Sequence, residues 1–125
     1  NNTTLTTNLH ALLQNCIIWG DGGIGNNEVE LLKEDGSVFD LQFNYCLYRS
    51  DATLSDATLN NCLQNLEPVF DSLNFNKNYF DFRTSHNASS PNIDAGTSTS
   101  SFPKDLDDLP RIVGTAVDIG CYERQ

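Results

Sequence analysis

Between residues 38 and 48 the chain sets Phe39, Leu41 and Phe43 against Asp40, Gln42 and Asn44. That is the period-two signature of a half-buried strand. Residues 78–83 repeat it, with Tyr79, Asp81 and Arg83 opposed to Phe80 and Phe82. Residues 9–19 form an apolar run broken at Gln14-Asn15, which predicts two short strands bent at an asparagine. Asn tolerates the left-handed backbone that such a bend needs, and Ile17, Ile18 and Trp19 favour extended structure. Residues 28–33 read as a strand, and residues 62–70 hold one further strand-like stretch. Residues 111–123 read as strand, turn, strand. Glu34-Asp35-Gly36-Ser37 is a turn with an Asp-Gly signal, and Gly20-Asp21-Gly22-Gly23 marks a loop. Ser-Asp-Ala-Thr-Leu occurs twice in tandem, at 50–54 and 55–59, and reads as a turn or a helical stub.

Composition supports this choppy pattern. The 125 residues include 15 Asn and 12 Asp against 5 Glu and 3 Lys. Asn and Asp favour turns and caps, whereas Glu and Lys favour helix interiors, so the composition argues against a mostly helical protein. Hydrophobic residues make up 38% of the chain, enough for a core and against wholesale disorder. The net charge of −10 argues against nucleic acid and against an anionic membrane surface, because both need a Lys/Arg footprint. No apolar run approaches the ~20 residues of a membrane span. A chain that opens Asn1-Asn2-Thr3-Thr4 and contains no Met reads as a fragment or a processed product.

One spacing suggests stacking. Asn15-Cys16-Ile17-Ile18-Trp19 and Tyr45-Cys46-Leu47-Tyr48-Arg49 lie 30 residues apart, each an apolar strand with Cys second. Periods of this size suit solenoids of stacked parallel strands, in which like residues lie over like. Stacked Asn side chains can then hydrogen-bond along a column. The cysteines at 16, 46, 62 and 121 form no CxxC pattern, which weakens a zinc reading. Free buried thiols and one disulfide both stand; if Cys16 and Cys46 are stacked neighbours, their separation permits a disulfide.

Four ordered segments carry a resemblance. Asn15-Cys16-Ile17-Ile18-Trp19-Gly20-Asp21 is followed by Glu67-Pro68-Val69-Phe70-Asp71, then by Ser90-Pro91-Asn92-Ile93-Asp94-Ala95-Gly96. The fourth is Asp105-Leu106-Asp107-Asp108-Leu109-Pro110-Arg111 with Val117-Asp118-Ile119-Gly120-Cys121-Tyr122-Glu123. Together they resemble the choice-of-anchor C-terminal region of pectate-lyase-like bacterial surface proteins. Cys121 stands where that family usually has Ala, and Asp108 where Gly is usual. The resemblance implies an all-β fold, a right-handed parallel β-helix. The chain reads as one domain, 1–125: the polar, Thr/Asn-rich residues 1–8 are a frayed lead-in or the end of a missing coil, and the resemblance implies coils over 9–83 and a terminal cap over 84–125. It further implies a secreted or cell-surface location, upstream coils of the same chain as partners, and structural roles for Asn15, Asp94, Gly96, Arg111, Asp118 and Glu123.

Chemistry is sparse. His10 and His86 lie far apart, and no nucleophilic triad, phosphate loop or HExxH motif is present. Asp105, Asp107 and Asp108 are the densest carboxylate group, and alternate carboxylates can supply oxygens to Ca²⁺. The competing reading is a turn in which Asp side chains cap backbone N–H groups, with Asp107 or Asp118 paired to Arg111. Asp94, in a tight-turn context, reads as a backbone cap before an acid or base, and Asp118 and Glu123 as ties for the final strand. Trp19 and Tyr48 can stack on a sugar ring or simply pack. Arg49, Arg83, Lys33 and Lys77 are available singly to a lyase mechanism, but none sits in a catalytic motif. The expectation is a non-catalytic structural segment linked to carbohydrate. The alternative is a polysaccharide-degrading lyase or hydrolase module.

Overall fold

A computed structural model provides the structure of the chain and describes residues 7–20, 25–86, 89–99 and 102–125. The greater part of the frayed lead-in and the centre of the glycine loop after Gly20 lie outside the described residues. Among the described residues eight strands follow in order: β1 (Leu9–Gln14), β2 (Ile17–Ile18), β3 (Phe39–Asn44), β4 (Leu47–Tyr48), β5 (Ala57–Asn60), β6 (Leu63–Gln64), β7 (Phe70–Asn74) and β8 (Tyr79–Thr84). A 3₁₀ turn, Phe75–Lys77, joins the last two.

Two parallel sheets share three layers. One sheet has the order β1-β3-β5 and the other β2-β4-β6. Leu9 faces Phe39 and Gln14 faces Asn44, so the 30-residue spacing is the register of the first two layers. The third layer arrives sooner, with Leu41 facing Ala57 and Asn44 facing Asn60. Each layer bends between its two strands at a residue with positive φ: Asn15 at 52°, Tyr45 at 52° and Asn61 at 50°. The bend predicted at Asn15 is thus repeated twice, the second time at a tyrosine. The stacking of asparagines is also present, because Asn60 Nδ2 donates to Asn44 Oδ1 at 2.7 Å.

The core lies inside these bends. Leu41, Phe43 and Cys46 are buried, with Ala11, Leu13, Cys16, Ile18, Val29 and Leu31 packed on them. Phe39, Leu41 and Phe43 face inward as their alternation predicts, and burial of such side chains contributes about 1.5–3 kcal/mol each. Gly36, at φ 84°, makes the predicted Asp-Gly turn.

The right-handed parallel β-helix expected for the chain is corrected. Its strands form three small sheets, and the third, β7-β8, is antiparallel. Stacking stops there for a local reason. The Asn74 side chain caps the 3₁₀ turn by accepting from Lys77 N, and Asn78 takes the left-handed conformation at φ 53°. The chain therefore reverses, and β8 returns along β7 instead of adding a fourth parallel layer. The strands expected at 28–33 and within 111–123 are also absent. Residues 28–33 bring Val29 and Leu31 to the core without a ladder. From residue 85 onward, the described residues form turns and one isolated bridge, Lys104 with Pro110. The result is a small domain of mixed parallel and antiparallel strands. No helix among the described residues is long and apolar enough to cross a membrane.

Candidate functional site

The C-terminal segment folds by side chains holding main chain. Asp118 is almost fully buried, and its carboxylate accepts from Asp94 N at 2.8 Å and Arg124 N at 2.9 Å. Glu123, also buried, accepts from Asp118 N at 3.0 Å and Val113 N at 3.3 Å. Asp94, at φ 54°, accepts from Thr115 N at 2.6 Å and Ala116 N at 2.9 Å. The buried Arg111 guanidinium donates to the carbonyls of Asp118, at 3.2 Å, and Gly120. The expected ion pair of Arg111 with Asp107 or Asp118 is corrected accordingly: Arg111 reaches the Asp118 carbonyl, and the carboxylate faces other donors.

This segment docks on the first layer at Asn15. The Asn15 amide donates to Thr97 O and accepts from Thr97 N, both at 2.9 Å, while Asn15 O accepts from Gly120 N. Gly96 allows the approach, since a Cβ there would lie 2.8 Å from Val117 O and 2.9 Å from Asn15 Oδ1. All six residues marked by the resemblance thus take part in one intramolecular clasp. Its neighbour is a buried polar set that sequence reasoning missed: Asn92 donates to Thr84 Oγ1 at 2.8 Å and Ile119 O at 3.1 Å, and Ser90 donates to Pro68 O at 2.6 Å.

The acidic turn divides its three carboxylates. Asp105 accepts from the N–H groups of Asp107, Leu109 and Glu123. Asp107 takes both Arg83 nitrogens at 2.7 Å, and Asp108 pairs with Lys104. Asp108 also occupies the left-handed region at φ 64°, where the resembling family has Gly. The three carboxylates do not converge, and among the described residues no group of three His, Cys, Asp or Glu is placed to hold a metal ion.

Electrostatics follow these contacts. The Ala116 and Thr115 N–H groups hold the Asp94 carboxyl below its ordinary value of 3.8, and the Arg83 fork does the same for Asp107. Burial pushes Glu123 upward. For Asp94 the folded-state value is the lower one, so its stabilisation is complete above the unfolded value and is lost as pH falls through the folded one. The melting temperature is therefore expected to drop between about pH 5 and pH 3, and Asp94→Asn should flatten that drop. Thermal melts of both proteins across the range check this; parallel curves would remove Asp94 from the acid response.

The two aromatic candidates separate. Tyr48 is 2% exposed and tilts against Phe43 in the core, so it is a packing residue and is withdrawn as a sugar platform. Trp19 borders a groove of about 720 Å³. Arg49 lies 5.5 Å over the Trp19 ring and is held by Asn26 Oδ1 at 2.6 Å and Gly20 O at 3.1 Å. The groove is lined by the polar Asn26, Asp51, Asn65 and Glu67 and by the aromatic Phe70, Phe75, Phe80 and Phe82. The four phenylalanines contact one another edge-on or stacked. Their common face was not legible in the sequence, because it forms only when β7 and β8 pair.

These features define a small mixed-strand domain closed by a side-chain clasp and bearing an aromatic-lined groove. No protein-family model, curated protein or solved structure matches the chain. The likeness to choice-of-anchor surface proteins therefore has no family match beside it.

Proposed function

We propose that the chain is a non-catalytic structural module of a secreted or cell-surface protein, with the Trp19 groove as its contact face for polysaccharide. The observation that carries this is the division of labour among the polar side chains. Asp94, Asp118 and Glu123 bind the chain's own backbone, as structural ties do. The groove instead combines aromatic with polar lining residues, a composition that suits sugar rings: C–H faces against phenyl and indole, hydroxyls toward Asn26, Asp51, Asn65 and Glu67. The surface location rests on the sequence resemblance alone.

The test is affinity for neutral and uronate-containing glycans. Trp19→Ala is expected to weaken binding about tenfold, equivalent to ~1.4 kcal/mol. Tyr48→Phe, in the core, should leave it unchanged. Equal affinity of the Trp19 variant and the parent would end the groove assignment.

A second reading has its own observation. Asp51 and Glu67 both line the groove, and glycoside hydrolysis needs two carboxylates across one bond. Depolymerisation of a glycan by the parent chain, abolished by Glu67→Gln, would replace the structural reading with an enzymatic one.

A further inference from the structure

We propose that Cys16, Cys46 and Cys62 form a redox-active thiol column, in which Cys16 and Cys46 close to a disulfide by exchange with a small-molecule disulfide such as oxidised glutathione. The three occupy the same place in successive layers, each directly after the left-handed bend. The pairs Gln14 with Asn44 and Ile17 with Leu47 bracket Cys16 and Cys46 and set them side by side. Leu47 N donates to Cys16 O at 2.9 Å, and Leu63 N to Cys46 O at 2.8 Å, so Cys62 continues the column. Neighbouring strands lie ~4.8 Å apart. That falls within the ~4.4–6.8 Å between Cα atoms that a disulfide spans.

The Cys46 and Cys62 sulfurs lean in one direction. Cys46 Sγ approaches Leu13 O of the first layer at 3.4 Å, and Cys62 Sγ approaches Phe43 O of the second at 3.3 Å. The Cys46 sulfur is thus turned toward the layer that carries Cys16. Access differs along the column. Cys46 is fully buried, whereas Cys16 borders a cavity of about 390 Å³. All four cysteines are free thiols in the structure. Cys16 reaches the cavity and Cys46 does not, which makes Cys16 the attacking group; the adjacent Cys46 side chain also lowers the Cys16 thiol from its usual range, while Cys16 and burial raise that of Cys46.

The exchange balances in two steps. The Cys16 thiolate attacks one sulfur of oxidised glutathione, forming a mixed disulfide and releasing a glutathione thiolate. Cys46 then attacks the Cys16 sulfur, and its proton passes to the second glutathione sulfur, which leaves as the thiol. Two protein thiols are oxidised, one glutathione disulfide is reduced to two thiols, and Cys62 keeps its proton.

Incubation of the full chain with oxidised glutathione, alkylation, proteolysis and mass spectrometry test this. A Cys16–Cys46 cross-linked peptide pair is the expected product. Its rate of formation should fall at least tenfold in Cys16→Ser and hold in Cys62→Ser. Cys46→Ser should stop at a mixed disulfide on Cys16. A Cys46–Cys62 or Cys16–Cys121 bond, glutathione on Cys121 alone, or no cross-link would overturn the proposal. Should Cys46→Ser not fold, the double variant Cys62→Ser/Cys121→Ser, holding only Cys16 and Cys46, decides the matter: a bond there supports the column and its absence rejects it.

Discussion

Asp118→Ala is expected to destabilise the chain by about 3 kcal/mol, since it leaves two backbone donors without their charged acceptor. The Asp118 carboxylate sits at the centre of the clasp, bonded to Asp94 N and Arg124 N. Alanine leaves a gap, and at 2% exposure water cannot readily fill it. The damage should spread, because the Asp94 backbone also positions the carboxylate that holds Thr115 and Ala116. Asp118→Asn keeps one acceptor oxygen but turns an NH₂ toward the other donor, so an intermediate loss is expected. Urea unfolding of the three proteins measures this. The order parent, Asn, Ala in midpoint concentration is expected; an Ala midpoint equal to the parent's would show that the clasp contributes nothing to stability.

Gly96→Ala is the second large effect, with an expected loss of about 2–3 kcal/mol from overpacking. The added methyl meets Val117 Cγ2 and Val117 O at 2.8 Å and Asn15 Oδ1 at 2.9 Å. The valine side chain can turn aside. The Val117 carbonyl cannot, because it accepts from Gly96 N at 2.8 Å. The Asn15 oxygen is likewise fixed by Thr97 N. The clasp must then lift from the first layer, and proteolysis within residues 97–120 should accelerate along with the loss of stability. A variant as protease-resistant and as stable as the parent would show that the docking seen at Asn15 is dispensable.

Both effects fall on residues that were legible from sequence only as members of a resembling motif. Their partners were not. Nothing in the order of residues brings Asn15 to Thr97 across 82 positions, or Arg83 to Asp107 and the face of Tyr122. Local signals did better. The broken run at Gln14-Asn15 marked a left-handed bend, because a short polar side chain tolerates that backbone. The next bend falls on Tyr45, which carries no such signal, and was missed for that reason. The parallel stacking implied by the 30-residue spacing is present in the first two layers. Its extension to a whole solenoid failed at Asn78, where one residue with positive φ turned the next strand antiparallel.

The tandem Ser-Asp-Ala-Thr-Leu repeat separates what the sequence determines from what the tertiary structure decides. The first copy is a loop, with Ser50 and Leu54 buried and Ser50 clipped from both sides by Asn65. The second copy yields most of β5, because Leu41 and Phe43 stand ready to pair with Ala57 and Leu59. Identical residues take two conformations because a strand needs a neighbour with free hydrogen-bonding groups, and only the second copy has one. By itself the sequence determined the non-helical, turn-rich character, the inward faces of residues 39–43, the bend at Asn15 and the acidic surface. Each of those depends on residues close along the chain. The clasp, the aromatic groove and the thiol column were decided by the tertiary structure, because each joins side chains that only stacking and chain reversal bring within contact.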